Sequence, residues 1–109
     1  MPTPRAGRAV RGSASGRPIM ALLDLLGRRW ALRVLYELRD AAKTFRALRS
    51  DCEEVSPTVL NTRLAELREA GLVELREGEG YALTPLGREL GAELLVLDAF
   101  ARRWARRRG

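Results

Sequence analysis

The run VSPTVLNTRLAELREAGLVELREGEGYALT, residues 55–84, holds the order of parts on which the fold turns. Ser56 suits a helix N-cap, and Pro57 suits the first helical position, where an N–H would go unpaired anyway. Leu60, Leu64 and Leu67 recur at helical spacing, and Gly71 supplies a C-terminal stop. Leu72-Val73-Glu74-Leu75-Arg76 follows at once, then the turn Glu77-Gly78-Glu79-Gly80, then Tyr81-Ala82-Leu83-Thr84. Two short runs of β character around a glycine-bearing turn predict a hairpin. A capped helix followed directly by a hairpin is the order of parts with which a winged helix meets DNA.

Upstream of this run the chain predicts three shorter helices. Pro18 opens the first, in which Ile19, Leu22, Leu23 and Leu26 form an amphipathic stripe ending at Gly27. The second spans Arg29 to Leu38, with Trp30, Leu32, Val34, Leu35 and Leu38 facing inward and Trp30 as a core anchor. Thr44 caps the third, Phe45 to Ser50, whose Phe45 and Leu48 point inward. Asp51-Cys52-Glu53-Glu54 then turns the chain into Ser56. A short helix, a turn and a longer capped helix make a helix-turn-helix. Downstream, Thr84-Pro85 repeats the cap-then-proline device and starts a long last helix. Leu86, Leu90, Leu94, Leu97, Ala101 and Trp104 share one face of it, widened by Val96 and Phe100. The expected fold class is therefore mainly α with a small β-hairpin (α+β). It comprises a flexible basic tail over residues 1–17 and a winged helix-turn-helix over 18–109, with dimerisation helices at both ends.

Composition narrows the function. The chain has 109 residues with 20 basic against 14 acidic side chains, a net charge of +6 that favours an anionic partner. Nineteen of the basic residues are arginine, Lys43 being the exception. With no histidine and the single cysteine Cys52, neither a Cys/His zinc site nor His-based acid–base catalysis can be assembled. No cofactor, metal or catalytic residue is expected, and no apolar run approaches the ~20 residues of a membrane span. Arginines followed by Ile19-Met20-Ala21-Leu22-Leu23 imitate a targeting signal, but Asp24 interrupts the apolar run. A cytoplasmic protein is the expectation.

The helical wheel assigns the reading residues. Leu60, Leu64 and Leu67 centre the buried side of the 56–70 helix, leaving Thr58, Thr62, Ala65 and Glu69 opposite and Asn61 beside them. Bases are read by the N-terminal part of such a helix, which selects Thr58, Asn61 and Thr62. Threonine offers a hydroxyl and a methyl for thymine, and asparagine can pair bidentately with adenine. Ser56 caps the helix and can also meet a phosphate. Arg63, with Glu66 as its pairing partner, reaches phosphate rather than a base. Lys43, Arg46 and Arg49 are the flanking phosphate contacts, and Arg76 at the wing base keeps the hairpin near DNA. The dimer contacts are Leu22, Leu90, Leu94, Leu97, Phe100, Ala101 and Trp104, the last helix being too long for the core available to it. The alternative for its distal half is a fold back onto its own core. Cys52 reads as a small apolar residue, because Asp51, Glu53 and Glu54 disfavour a thiolate.

Several runs resemble the HxlR-type winged-helix transcriptional regulators, which are relatives of MarR proteins. They are Leu25-Leu26-Gly27-Arg28-Arg29-Trp30, Leu35-Tyr36-Glu37-Leu38, Phe45-Arg46-Ala47-Leu48, Val55-Ser56, Leu60, Arg63-Leu64, Glu66-Leu67, Gly71-Leu72-Val73 and Leu83-Thr84-Pro85-Leu86-Gly87-Arg88. The resemblance spans roughly residues 18–105. It implies a homodimeric bacterial regulator with the helix after Ser56 in the major groove and the hairpin as wing. Two departures stand out. Many members carry Cys-Pro ahead of the first helix, where this chain has Arg17-Pro18, which removes thiol sensing by that route. The wing tip is short and acidic, with Glu77 and Glu79 where phosphate would repel them.

The expected function is a sequence-specific DNA-binding repressor, acting as a homodimer on an inverted repeat of double-stranded DNA. The alternative is a winged-helix protein-interaction module without specific DNA binding, for which the acidic wing tip speaks. A small-molecule effector is left open, with Trp30, Phe100 and Trp104 as the apolar side chains it would meet.

Overall fold

The computed structural model describes residues 16–108. The tail expected over residues 1–17 therefore lies outside the described residues except for Gly16 and Arg17. Five helices and one hairpin follow: α1 Pro18–Leu26, α2 Ala31–Glu37, α3 Phe45–Asp51, α4 Pro57–Glu69, β1 Val73–Arg76, β2 Gly80–Leu83 and α5 Pro85–Arg108. The fold is a mainly helical α+β winged helix-turn-helix. No described helix is long and apolar enough to cross a membrane.

The ends of α4 are fixed by local chemistry. The Ser56 hydroxyl accepts from the Val59 N–H at 3.1 Å. At the other end, the Leu72 N–H donates to the Leu67 carbonyl and the Gly71 N–H to the Arg68 carbonyl, each at 3.0 Å. This pair of bonds is a Schellman cap, which needs a left-handed residue at Gly71, where φ is 82°. Leu67 and Leu72, brought together by the cap, are both buried. The hairpin pairs Val73 with Leu83 and Arg76 with Gly80 in antiparallel register. Lys43 extends it as a third rung, exchanging N–H and C=O bonds of 2.8 Å with Tyr81. Thr84 then closes the junction, donating its hydroxyl to the Gly71 carbonyl at 2.6 Å while accepting the Gly87 N–H that starts α5.

One core joins these elements: Leu25, Val34, Leu35, Leu38, Leu48, Cys52, Val55, Leu60, Leu64, Leu67, Leu72, Val73, Leu83 and Leu94. Trp30 and Phe45 pack at its margin, partly buried. Three sequence expectations are corrected. The second helix begins at Ala31, not Arg29, because Trp30 is left-handed with φ 75° and the Arg29 carbonyl accepts from Arg63 Nε at 2.7 Å. A helix started at Arg29 would need that carbonyl for its own ladder. Leu32 is exposed rather than inward, since it stands roughly 110° round the helix from the centre of the buried side at ~100° per residue. In α1 the core is met by Ala21 and Leu25, while Ile19 and Leu23 face outward.

α5 divides in two. Gly87, Gly91 and Leu94 are buried against the core, and Leu90 packs at its edge. From Leu95 onward only Asp98 is less than exposed, so the helix runs clear of its own core and does not fold back. Leu86, expected on the inner stripe, is half exposed as well.

Two properties of this core can be measured. Gly87 lies so close to Leu72 that a Cβ would overlap the Leu72 carbonyl oxygen. Gly87→Ala should therefore destabilise the fold by about 1–3 kcal/mol, read from the urea midpoint at unchanged slope. Cys52 is fully buried, and burial, ahead of the nearby charges of Glu37 and Asp51, pushes its thiol pKa up. A raised pKa shrinks the thiolate fraction at neutral and mildly alkaline pH. Iodoacetamide at pH 8 should alkylate Cys52 at least about a hundredfold more slowly in the native chain than in urea, the ratio expected where access requires unfolding.

Candidate nucleic-acid interface

The helix-turn-helix is α3, the turn 52–56 and α4. The Thr44 hydroxyl caps α3 by accepting the Ala47 N–H at 3.1 Å. The turn needs two consecutive left-handed residues, Glu53 and Glu54, with φ 58° and 57°. Each costs about 1–2 kcal/mol for a residue with a Cβ. Two arginines offset that cost by clasping the turn from either side. Arg49 donates its Nε to the Val55 carbonyl at 2.7 Å and pairs with Glu54 at 3.2 Å. Arg33 reaches the Asp51 carbonyl at 2.7 Å and Glu53 at 3.1 Å while bonded to Glu37, the bond that chiefly raises its own pKa.

The turn delivers α4 with its leucines inward. Leu60, Leu64, Leu67 and Glu66 are buried, whereas Ser56, Thr58, Asn61, Thr62, Ala65, Arg68 and Glu69 are exposed. The exposed side of the first two turns thus carries only short polar groups, which let a helix approach a groove closely. Asn61 has no polar partner among the described residues, so its amide is free to read an edge; Thr62 spends its donor on the Thr58 carbonyl at 2.9 Å and keeps its acceptor.

The basic residues named from sequence divide sharply. Lys43 is ion-paired to Asp51 and lies 3.7 Å from Glu37, beside its backbone rung to Tyr81. Arg49 is committed to the turn. Arg63 donates to the Arg29 carbonyl and holds Glu66 at 2.8 Å. Arg76 bonds Glu74 at 2.6 Å, a contact that keeps it firmly charged but folded along the hairpin. Lys43, Arg49 and Arg63, expected on phosphate, and Arg76, expected to keep the hairpin near DNA, are each held by carboxylates or carbonyls of their own chain. Arg46 alone of the named cations is exposed and has no ion pair among the described residues. Arg68, missed from sequence, shares that condition. It sits seven residues after Asn61, two helical turns along the same flank, and that spacing was the signal available to find it.

Glu66 is also more deeply engaged than sequence suggested. Besides Arg63, its carboxylate takes Arg28 Nη1 at 2.6 Å, and Arg28 in turn lies 3.3 Å from Asp24. At the wing tip Glu77, Gly78 and Glu79 are exposed. Of the residues assigned to dimerisation, Leu94 belongs to its own core and Leu22 and Leu90 are partly buried. Leu97, Phe100, Ala101 and Trp104 are exposed.

Comparison with known proteins agrees with this geometry. Residues 25–108 match the model of the HxlR-like helix-turn-helix family. YybR of Bacillus subtilis, an uncharacterised HTH-type transcriptional regulator, is 30% identical over 89 residues, covering 76% of this chain and 70% of YybR. The quinone-bound structure of YodB from B. subtilis superposes with a TM-score of 0.70 at 29% identity, covering 78% of this chain and 94% of YodB. A Thermoplasma volcanium protein described as a possible HxlR family transcriptional factor gives the same TM-score at 30% identity, over 78% of this chain and 82% of its own. The chain belongs to the HxlR-like helix-turn-helix family of transcriptional regulators.

Proposed function

We propose that the protein is a repressor that binds an inverted-repeat operator as a homodimer, from a cytoplasmic location. The observation that carries this reading is the exposed N-terminal half of α4, with Thr58, Asn61 and Thr62 presented on a helix whose other side is locked to the core. Asn61 is assigned to an adenine and the two threonines to neighbouring bases. Ser56 serves first as the cap. Arg46 on α3 and Arg68 on α4 take phosphates on either side of the reading face. Arg63 and Lys43 act on DNA only indirectly, by holding α4 and the wing in place. A two-fold dimer places two copies of α4 about one helical turn of DNA apart, which accounts for the inverted repeat. The wing, with Glu77 and Glu79 at its tip, adds little grip.

Whether this chain has an effector is a separate matter from DNA reading. YodB has a structure with quinone bound, but where many family members carry a cysteine before the first helix this chain has Arg17, and Cys52 is sealed in the core. We assign any effector of this chain to non-covalent binding.

Titrations of operator and scrambled duplexes at several salt concentrations separate the two classes of contact. Asn61→Ala should lose ~1–3 kcal/mol of discrimination at one base pair and leave the salt slope unchanged. Arg46→Ala should weaken all duplexes alike and lower the magnitude of the salt slope by about one. Equal affinity of the wild-type chain for every genomic duplex would refute the reading, as would binding insensitive to salt, which a protein-interaction module would show.

A further inference from the structure

Beside α5 lies a groove of about 300 Å³ bounded by Ala21, Leu22, Leu25, Leu72, Leu86 and Leu90, with Glu89 at its rim. It is apolar and at the bottom of the ~300–1,000 Å³ range of ligand pockets, a volume suited to one large side chain. The same helix carries, further along, a stripe that no described residue buries: Leu97, Phe100 and Trp104 are 55%, 52% and 52% exposed. These three and the groove residues Leu86 and Leu90 fall within an arc of ~80° at ~100° per residue, so groove and stripe share one side of α5. Trp104 cannot fill the groove of its own chain, because fourteen residues of helix separate it from Leu90, ~21 Å at ~1.5 Å per residue.

We propose that the groove is the socket for Trp104 of a second copy, in an antiparallel pairing of the two α5 helices. The inference rests on the homodimer reading and gives it a direction and a register. Two features select that direction. On or beside the stripe side, at ~100° per residue, the near half of α5 carries Glu89 and Glu93, both exposed and without an ion pair among the described residues, whereas the far half carries Arg107 and Arg108 there. A parallel pairing sets these arginines against their own copies; an antiparallel one sets them against the glutamates. A two-fold axis near Leu97 also brings the partner's Trp104 opposite Leu90, since each lies seven residues from Leu97. Arg108 rides on the Trp104 ring at 5.0 Å from its centroid. The indole thus enters with a guanidinium attached, and Glu89 at the rim meets it. The contact is isologous, each chain giving one indole and one socket.

The full chain tests this in two ways. In a Cys52→Ala background, Leu90→Cys together with Trp104→Cys should give a disulfide-linked dimer under mild oxidation. The two thiols of one chain are too far apart to join, as a disulfide spans at most ~7 Å between Cα atoms. Because Cys52→Ala empties part of a fully buried site and so costs stability, Trp104→Ala alone provides the second measure, on a side chain half exposed in the monomer. Sedimentation should show its dimer dissociation constant raised about tenfold or more, as for a central aromatic anchor, with helicity retained. Glu89→Arg should weaken the dimer similarly, and Arg108→Glu added to it should restore association. If the wild-type chain dimerises but the double-cysteine variant gives no cross-link and Trp104→Ala leaves the dissociation constant unchanged, the socket is overturned while the homodimer stands, the groove then being open to an apolar effector. A wild-type chain that stays monomeric at micromolar concentration overturns both.

Discussion

The carboxylate of Glu66 is the constraint on which the reading face depends. It is buried, and a buried carboxylate is tolerated only when its charge is compensated and its oxygens are bonded. Arg28, from the junction after α1, takes one oxygen, and Arg63, from the next turn of α4, takes the other. Arg63 also bonds the Arg29 carbonyl, so both ends of the α1–α2 junction are tied to α4. Removing one member of such a group typically costs about 3–5 kcal/mol, because the remaining charge stays buried. Leucines alone would let α4 roll on the core by a fraction of a turn. The directional bonds of Glu66 fix its rotation, and rotation decides whether Asn61 or Arg63 faces outward.

This ties the charge balance of the chain to its function in an indirect way. A net charge of +6 suggests a surplus of cations for phosphate. Around the helix-turn-helix, however, most cations are already occupied. Arg33 and Arg49 hold a turn that needs two left-handed glutamates, Lys43 holds the third rung of the sheet, and Arg76 lies along the hairpin. Of the cations on α3, α4 and the hairpin, Arg46 and Arg68 are the ones left without an ion pair among the described residues. Few free cations near a polar, short-chained face shift the source of affinity. On the proposed reading, less of it comes from sequence-blind phosphate contact, and more from base edges and from the second subunit.

What could be read from sequence was what local chemistry decides. Ser56, Thr44 and Thr84 cap their helices as their hydroxyls and positions suggest, and Gly71 stops α4 with a left-handed cap. The leucine spacing of α4 placed Thr58, Asn61 and Thr62 outward. Non-local bonds were not legible. Arg63 meets a carbonyl 34 residues away and Arg28 a carboxylate 38 residues away, and no spacing rule encodes such partners. For that reason the sequence starts the second helix two residues early and points Arg63 at phosphate. Leu32 was misplaced for a different reason. A helix of seven residues offers fewer than two full turns, over which an apolar residue on the wrong side barely disturbs the pattern.

α5 shows the same limit in reverse, since periodicity marked its stripe correctly but could not say whose core the stripe serves. The helix is 24 residues long, ~36 Å at the usual rise. Burial against its own chain ends at Leu94. An isolated helical stretch of the length that remains is marginal in water, because nucleation is costly and propagation only slightly favourable. Aromatic and aliphatic side chains held in solvent on such a stretch add to that cost. Both costs are relieved by a single event, the burial of the stripe against another surface. An apolar groove with Glu89 at its rim lies on the near half of the same helix. In the homodimer proposed above, the same stretch of α5 would set the separation between two copies of α4, and with it the spacing of half-sites.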